Sequence, residues 1–207
     1  MYNLDISLRE NKYCYVHKIL SFSASQMDIC SYCGCRSKKN IVKDIVKDMD
    51  HLLIEGAQKH PDFMHCADFV SATFVVSKRV FDVMLKEKIT GYDMAKKVSL
   101  YRSIDGQLVK QEPEYYMINI TGIIDLDLKA MHLKKKNVCP NCGSFKWSRQ
   151  RLYLFDSVFD KGTWDGSDIC RIKSFQGYIM ISDRLKEIFE THKFTGASFK
   201  NENEIFK

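Results

Sequence analysis

Two stretches of the chain, SKRVFDVMLKEKITG at residues 77–91 and SDRLKEIFETHKFTG at residues 182–196, align without a gap. The offset between them is 105 residues, and both begin with serine and end with Thr-Gly. Any two amphipathic helices with serine caps share some of this pattern. The equal length and the common Thr-Gly ending favour an internal repeat instead.

Each stretch has the pattern of one strand–helix–turn unit. A β-rich run comes first, FVSATFVV in one half and GYIMI in the other, and a serine follows at the position of a helix N-cap. Apolar residues then recur at helical spacing, as in Val80, Val83 and Met84. A basic last turn suits a helix C-terminus, and Thr-Gly is expected to end the helix. One capped helix is therefore predicted in each half.

Two C-x-x-C-G motifs repeat at a similar offset. They are Cys30-Ser31-Tyr32-Cys33-Gly34 and Cys139-Pro140-Asn141-Cys142-Gly143, 109 residues apart. The two cysteines of such a motif flank a tight turn that directs both sulfurs to one centre. Together they supply the four soft ligands of a closed tetrahedral zinc site, so Cys30, Cys33, Cys139 and Cys142 are predicted to bind one structural zinc ion.

Other interpretations of the cysteines remain open from the sequence. A redox pair would need a thioredoxin-like βαβ context, which neither segment offers convincingly. The long separation also permits two independent half-sites or ordinary thiols. Cys35 could replace Cys33 as a ligand, and His65-Cys66 could contribute a further one. The cysteines outside the two motifs are expected to be buried as small apolar residues: Cys14, Cys35, Cys66 and Cys170.

The repeat and the cysteine motifs together predict an α+β fold with two similar halves. Each half has one C-x-x-C-G motif, which we call a zinc knuckle, together with strands and one capped helix. The N-terminal half-repeat covers residues 1–110 with Cys30 and Cys33, and the C-terminal half-repeat covers 111–207 with Cys139 and Cys142. The run at 115–128, YYMINITGIIDLDL, is a strand candidate with Gly122 as a bulge. No flexible linker separates the halves, which predicts that they pack as one unit.

Composition limits the class of protein. The chain has 207 residues, a net charge of +6, eight cysteines and three prolines. The N-terminus lacks the apolar region of a signal peptide, and no apolar run approaches the roughly 18 residues of a membrane span. A cytoplasmic protein without a membrane partner is expected, and in that compartment paired cysteines indicate metal binding more often than disulfides.

Catalytic motifs are not found in the sequence, and no catalytic residue is predicted. Two clusters of polar residues could carry acid–base chemistry: the histidines and aspartates His60, Asp62, His65 and Asp68, and the aspartates Asp156, Asp160, Asp165 and Asp168. A pair of carboxylates could act as acid and base. A loop with a hydrogen-bonded histidine and a turn with Asx bonds explain the two clusters more simply, so we expect no enzyme.

The knuckles, the segment Trp164 to Asp168 and the closing segment Ile181 to Phe199 together resemble the bacterial double-CxxCG motif proteins. The resemblance covers most of the chain. It implies an immunity protein that binds and neutralises a cognate toxin in polymorphic toxin or contact-dependent competition systems. It also implies the four knuckle cysteines as metal ligands, and it carries over neither catalytic nor toxin-contacting residues.

Two further functions are compatible with the sequence. A zinc-ribbon protein that binds nucleic acid would use Lys134-Lys135-Lys136 before the second knuckle and Lys146, Trp147, Arg149 and Arg151 after it. The same run also fits a strand with a solvated face. A structural subunit of a larger assembly is the third interpretation.

Overall fold

The computed structural model describes residues 1–5, 14–19, 30–33, 51–56, 59–64, 73–141, 145–147 and 159–201. Within these ranges the chain forms fourteen strands, two α-helices and one short 3-10 helix. The predicted α+β class is therefore confirmed. None of the helices formed by the described residues combines the length and the apolar character needed to cross a membrane.

The strands are named in chain order. They are β1 (Tyr2–Asp5), β2 (Cys14–Ile19), β3 (His51–Gly56), β4 (Phe63–Met64), β5 (Thr73–Ser77), β6 (Tyr92–Ile104), β7 (Gln107–Ile120), β8 (Ile123–Leu126), β9 (Lys135–Lys136), β10 (Lys146–Trp147), β11 (Phe159–Asp160), β12 (Ile169–Ile172), β13 (Phe175–Ile181) and β14 (Ser198–Asn201). The helices are α1 (Lys78–Lys86) and α2 (Asp183–Thr191), and the 3-10 helix spans Lys161–Thr163.

The first sheet has six strands in the order β2-β3-β6-β7-β5-β4. Its centre is the long antiparallel hairpin of β6 and β7, in which Ile104 faces Gln107 across the turn. The two turn residues have positive φ, 51° at Asp105 and 78° at Gly106. A two-residue turn of this kind matches the twist of the strands that it joins.

The second sheet has six strands in the order β11-β8-β12-β13-β1-β14. Strand β1, at the N-terminus, lies between β13 and β14 and pairs antiparallel with both. This sheet therefore joins the start of the chain to its last described strand. The boundary drawn at residues 110 and 111 falls inside β7, which belongs to the first sheet up to Ile120. The division into two half-repeats stays a prediction.

The crossing from the first sheet to the second lies at Thr121-Gly122. Strand β7 ends at Ile120 and β8 begins at Ile123 in the other sheet. The amides of Thr121 and Gly122 both donate to the carbonyl oxygen of Gly91, each at 2.9 Å. A Cβ on Gly122 would lie 2.2 Å from the carbonyl oxygen of Ile169. The glycine is therefore required by a close backbone approach, and it does not form the bulge predicted within one strand.

Both helices begin as the sequence predicts. Ser77 and Ser182 have extended backbones, and their hydroxyl oxygens accept hydrogen bonds from the amides of Val80 at 3.3 Å and Leu185 at 3.1 Å. Each bond satisfies one of the amides that the first helical turn leaves without a partner. The apolar stripe of each helix is buried, with Val80 and Met84 on α1 and Leu185 and Phe189 on α2.

The ends of the helices differ from the prediction. Both helices stop before Thr-Gly, and the residues that end them are Lys88 and Lys193, with φ of 51° and 52°. The amide after each lysine donates back into the last turn, Ile89 to Met84 at 3.0 Å and Phe194 to Phe189 at 3.4 Å. This pattern is the Schellman ending. In addition, α2 carries no basic residue in its last turn, whereas α1 has Lys86.

One hydrophobic core joins the two sheets and both helices. The rings of Phe63 from β4 and Phe189 from α2 lie 5.1 Å apart and form its aromatic centre. The buried members of the core come from both parts of the chain: Leu4, Phe63, Phe74, Val76, Val80, Met84, Ile89, Ile118, Ile120, Ile169, Ile179, Ile181, Leu185 and Phe189. A smaller cluster around Cys170 and Met180 forms a separate buried group of the second sheet.

Candidate functional site

The described part of the second cysteine motif, residues 139–141, lies between two short paired strands. Strands β9 and β10 pair antiparallel, with Lys136 opposite Lys146, and Cys139 lies in the loop that connects them. In the first cysteine motif, Cys30 is followed by a turn at residues 31–33. The described residues that follow Cys30 and Cys139, residues 31–33 and 140–141, form turns and not the helix with which a redox C-x-x-C motif begins.

Three of the four predicted ligands come together. The Sγ atoms of Cys30, Cys33 and Cys139 all lie within 4.8 Å of one another, close enough to bind a metal ion. Cys30 and Cys139 are buried and Cys33 is exposed. The fourth predicted ligand, Cys142, lies outside the described residues, and so do Cys35 and Cys66.

Asn141 adds a contact between the two motifs that the sequence did not predict. Its side-chain Nδ2 donates to the Sγ of Cys30 at 3.8 Å. A donor of this kind stabilises a thiolate relative to the thiol and orients a metal ligand from outside the ligand set. Its position between the two cysteines of the Cys139-Pro140-Asn141-Cys142 motif was the available signal.

Cys170, which lies outside the two motifs, has an unreactive thiol. Cys170 is buried in β12, and burial raises the pKa of its thiol to about 12. Such a group stays protonated at neutral pH and does not act as a nucleophile. The expectation that the scattered cysteines are buried as apolar residues is confirmed for Cys170. Cys14 lies in β2.

Asp62, one of the acidic candidates, is the centre of a buried hydrogen-bond network. Its carboxylate accepts bonds from Ser77 Oγ at 2.8 Å and from Arg79 Nη2 at 2.7 Å. It also accepts from the amide of Thr195 at 2.9 Å and from the Thr195 hydroxyl at 3.1 Å. We call this set the Asp62 network. It ties the start of α1 to the Thr-Gly dipeptide that follows α2.

Asp168 forms an equivalent network with the roles of the two helices exchanged. Its carboxylate accepts from Ser182 Oγ at 3.0 Å and from Arg184 Nη1 at 2.9 Å. The amide and the hydroxyl of Thr90 donate to the same carboxylate at 3.1 and 3.2 Å. We call this set the Asp168 network. Here the start of α2 is tied to the Thr-Gly dipeptide that follows α1.

The glycine of each Thr-Gly allows this close approach. A Cβ on Gly91 would lie 1.9 Å from the carbonyl oxygen of Ile169, and a Cβ on Gly196 would lie 2.4 Å from that of Phe63. Both glycines also have positive φ, 95° and 84°. Thr-Gly therefore serves as a contact between the two helical units, which explains its presence where no helix ends.

The networks set the protonation of their aspartates. Burial alone would raise the pKa of Asp62, but the hydrogen bonds from Arg79, Thr195 and Ser77 outweigh it and lower that pKa below its ordinary value. Burial opposes the shift at Asp168 too, and the bonds from Thr90, Ser182 and Arg184 again lower the pKa. Both carboxylates are therefore charged at neutral pH, and neither is suited to donate a proton as a general acid.

The other acidic and histidine candidates have local partners or lie outside the described residues. Asp165 accepts from the amide and the hydroxyl of Ser167, and Asp160 accepts from the amide of Gly162 at 3.1 Å. These are the Asx turns expected there. Burial, followed by the charge of Arg102, lowers the pKa of His60. The candidates outside the described residues are His65, Asp68 and Asp156.

No protein-family model matches this chain, and no curated protein sequence matches it. The resemblance to the double-CxxCG proteins therefore rests on the motifs themselves.

Proposed function

We propose that this protein is a bacterial immunity protein that binds and neutralises a cognate toxin by direct contact in the cytoplasm, with a structural zinc site that joins its two halves. The observation that carries the proposal is the convergence of Cys30 with Cys139, whose Sγ atoms lie 3.8 Å apart although 109 residues separate them in the chain. Paired cysteine motifs are the feature on which the resemblance to the double-CxxCG immunity proteins depends.

Zinc is the metal that fits this donor set best. Two thiolates bound to one tetrahedral zinc at about 2.3 Å have their sulfurs about 3.8 Å apart. Cys30 and Cys139 have this separation, which is far longer than a disulfide bond. Thiolates are also the ligands that zinc takes in structural sites. We propose Cys142 as the fourth ligand, which would close the site to water and give the ion a structural role.

The two aspartate networks support the proposal of an internal duplication. Ser77 and Arg79 donate to Asp62 as Ser182 and Arg184 donate to Asp168. Thr90 of the first unit donates to Asp168, and Thr195 of the second donates to Asp62 in the same way. Each unit thus has the same three residue types, one serine N-cap and one Schellman ending, and chance does not readily produce this combination in both units. We propose that two related units, each with one knuckle, pack against each other as one body.

A binding role fits the described carboxylates better than a catalytic one. Asp62, Asp165 and Asp168 each accept several hydrogen bonds from groups that belong to the fold. A general base must instead direct its lone pairs at a substrate proton. We therefore propose a stoichiometric inhibitor and not an enzyme.

The second candidate function is nucleic-acid binding by a zinc ribbon. One observation favours it: Lys134, Lys135 and Lys136 are all exposed directly before the second knuckle. Phosphate contacts by lysine lose affinity steeply as salt rises, which separates this candidate from a packed protein interface.

The decisive experiment combines capture with a test of toxicity. The tagged protein is purified from its native cells with and without nuclease, at low and high salt, and the proteins that co-elute are identified. The captured protein is then expressed in a heterologous bacterial host, alone and together with the immunity candidate. The proposal predicts one protein at equal stoichiometry that survives nuclease and high salt, stops growth alone and permits growth in the pair.

Two results would contradict the proposal. Recovery of DNA or RNA that salt releases, without a stoichiometric protein, would favour the nucleic-acid candidate. A captured protein that is harmless when expressed alone would favour a subunit of a larger assembly. Zinc is measured on the same purified sample by atomic emission, and less than about half an ion per chain would contradict the four-cysteine site.

A further inference from the structure

Charge is unevenly distributed along the chain around the two cysteine motifs. Residues 29–43 and 128–155, which contain the knuckles, hold eleven Lys and Arg residues and no Asp or Glu. The whole chain has 32 basic and 26 acidic residues. The remainder therefore has 21 basic and 26 acidic residues, an acidic balance. The positive net charge of the protein comes entirely from the knuckle segments.

The structure brings one cysteine of each basic segment to the same place. Cys30 belongs to the first segment and Cys139 to the second, and their Sγ atoms lie 3.8 Å apart. Next to Cys139, Lys134, Lys135 and Lys136 are exposed, and the ammonium group of Lys135 lies over the ring of Phe145, 4.4 Å from its centroid. The exposed charges described at this place are therefore those of the three consecutive lysines Lys134–Lys136.

Two large apolar side chains are exposed beside the ligand cysteines. Tyr32, between Cys30 and Cys33, is 70% exposed, and Val138, which precedes Cys139, is 54% exposed. Tyrosine is enriched at the centres of protein interfaces, because its ring covers a large area with little loss of conformational freedom. We call Tyr32, Val138 and Lys134–Lys136 the knuckle face.

We propose that the knuckle face is the surface that binds the toxin, and that it recognises an acidic patch on that protein with an apolar centre. This inference rests on the proposed function. Lysines around the contact would steer an acidic partner and raise the association rate, and Tyr32 and Val138 would pack at the centre. An exposed valine favours a protein over nucleic acid, because surfaces that bind nucleic acid are more polar than protein interfaces.

A zero-length carbodiimide cross-linker tests the chemistry directly, because it joins a lysine amine to a carboxylate with loss of water. The protein is cross-linked in extracts of its native cells after nuclease treatment, and the joined peptides are identified by mass spectrometry. The test variant is K134E/K135E/K136E. The matched control is K59E/K110E/K173E, which makes the same charge change at three exposed lysines outside the knuckle segments. Both variants are first checked for an unchanged zinc content and melting temperature.

The inference predicts cross-links from Lys134–Lys136 to Asp or Glu of the toxin that the growth assay identifies. With that toxin purified, the test variant should associate about 10- to 100-fold more slowly at low salt, and the control should stay within about threefold of the original protein. The double variant Tyr32→Ala, Val138→Ser should dissociate faster, at an association rate close to the original.

Each of the other results has a defined meaning. If the toxin is captured but the test variant binds it as well as the control does, the knuckle face is not the interface and the proposed function stands. If no toxin is captured, both fail. If a 20-nucleotide single-stranded oligonucleotide binds the original protein and not the test variant, and no toxin is cross-linked, the face binds nucleic acid and the inference is overturned.

Discussion

Replacing Asp62 with Asn tests whether the two aspartate networks hold the helical units together. The substitution keeps the volume of the side chain but removes its charge and turns one oxygen into a donor. That carboxylate accepts bonds on both oxygens: Oδ1 accepts from Ser77 and from Arg79 Nε, and Oδ2 accepts from Arg79 Nη2 and twice from Thr195. Whichever way the amide turns, its NH2 group faces at least one donor that cannot become an acceptor.

The cost follows from the bonds that are lost. The least damaging orientation directs the NH2 group to the Oδ1 side, where the Ser77 hydroxyl can rotate to accept but Arg79 Nε cannot. Hydrogen bonds to a charged group contribute about 1.5–3 kcal/mol each. Arg79 is 56% exposed and regains water, so the lower end applies. With the weakened bonds to Thr195, the total is about 3 kcal/mol, which corresponds to a melting temperature about 6–12 °C lower in a protein of this size.

Asp168→Asn should cost somewhat less, about 2 kcal/mol. Among the described residues only Ser182 Oγ donates to its Oδ1, so the NH2 group of asparagine can face a hydroxyl that rotates, while the other oxygen keeps Arg184 and Thr90. The control is Asp82→Asn, an exposed partner of Lys78 on one helix face. Exposed pairs of this kind contribute at most about 0.5 kcal/mol.

Urea denaturation of the three variants at pH 7, followed by tryptophan fluorescence and circular dichroism, gives the free energies of unfolding. The order of destabilisation should be Asp62→Asn, then Asp168→Asn, then Asp82→Asn, with an unchanged dependence on urea concentration. If either network variant costs no more than Asp82→Asn, the networks are incidental contacts of the loops. The proposal that they join the two units would then be wrong.

Three further predictions concern pH, metal and glycine. The pKa values of Asp62 and Asp168 are lowered in the folded protein. The stability that these two carboxylates contribute is therefore present above their unfolded pKa of about 3.9 and is lost as pH falls through their folded pKa values. When unfolding is measured between pH 7 and pH 2, the variant D62N/D168N should lose less stability below about pH 4 than the original protein. Cys139→Ser should abolish zinc binding and lower the melting temperature by several degrees. Cys170 is buried away from the site, so Cys170→Ala should keep one full equivalent of metal. A Cys139→Ser variant that still binds one zinc ion tightly would contradict the predicted ligand set. Gly196→Ala should destabilise the protein by about 2–5 kcal/mol, because a Cβ at Gly196, which has a positive φ, would meet the backbone of Phe63. Gly106 has a similar φ of 78°, but a Cβ there would have nothing within 4 Å, so Gly106→Ala should cost only about 1 kcal/mol. Equal losses of stability in thermal denaturation would show that backbone strain alone is responsible.

The sequence predicted the elements whose causes are local. The N-caps at Ser77 and Ser182 depend on a few neighbouring residues, and both are confirmed. The convergence of Cys30 with Cys139 could also be predicted, because the preference of a metal for four soft ligands joins motifs regardless of their distance in the chain.

The contacts that depend on tertiary packing could not be predicted. Asp62 lies 15 residues before Ser77, whereas Asp168 lies 14 residues before Ser182. The two aspartates therefore fall out of register in the alignment that reveals the repeat, and in the sequence each lies among polar neighbours typical of a loop. The role of Thr-Gly was missed for a related reason, since the partner of each dipeptide belongs to the other unit.

The exchange of contacts between the two units has a consequence for synthesis of the chain. Asp62 and its partner Thr195 are 133 residues apart, and translation proceeds at about 5–20 residues per second. The first unit therefore waits about 7 to 27 seconds after Asp62 is made before the residues that complete its network exist. During that interval a nascent chain presents the Asp62 carboxylate and the face of α1 without their final partners, so a chaperone that shields this unit would act before the second unit is released from the ribosome.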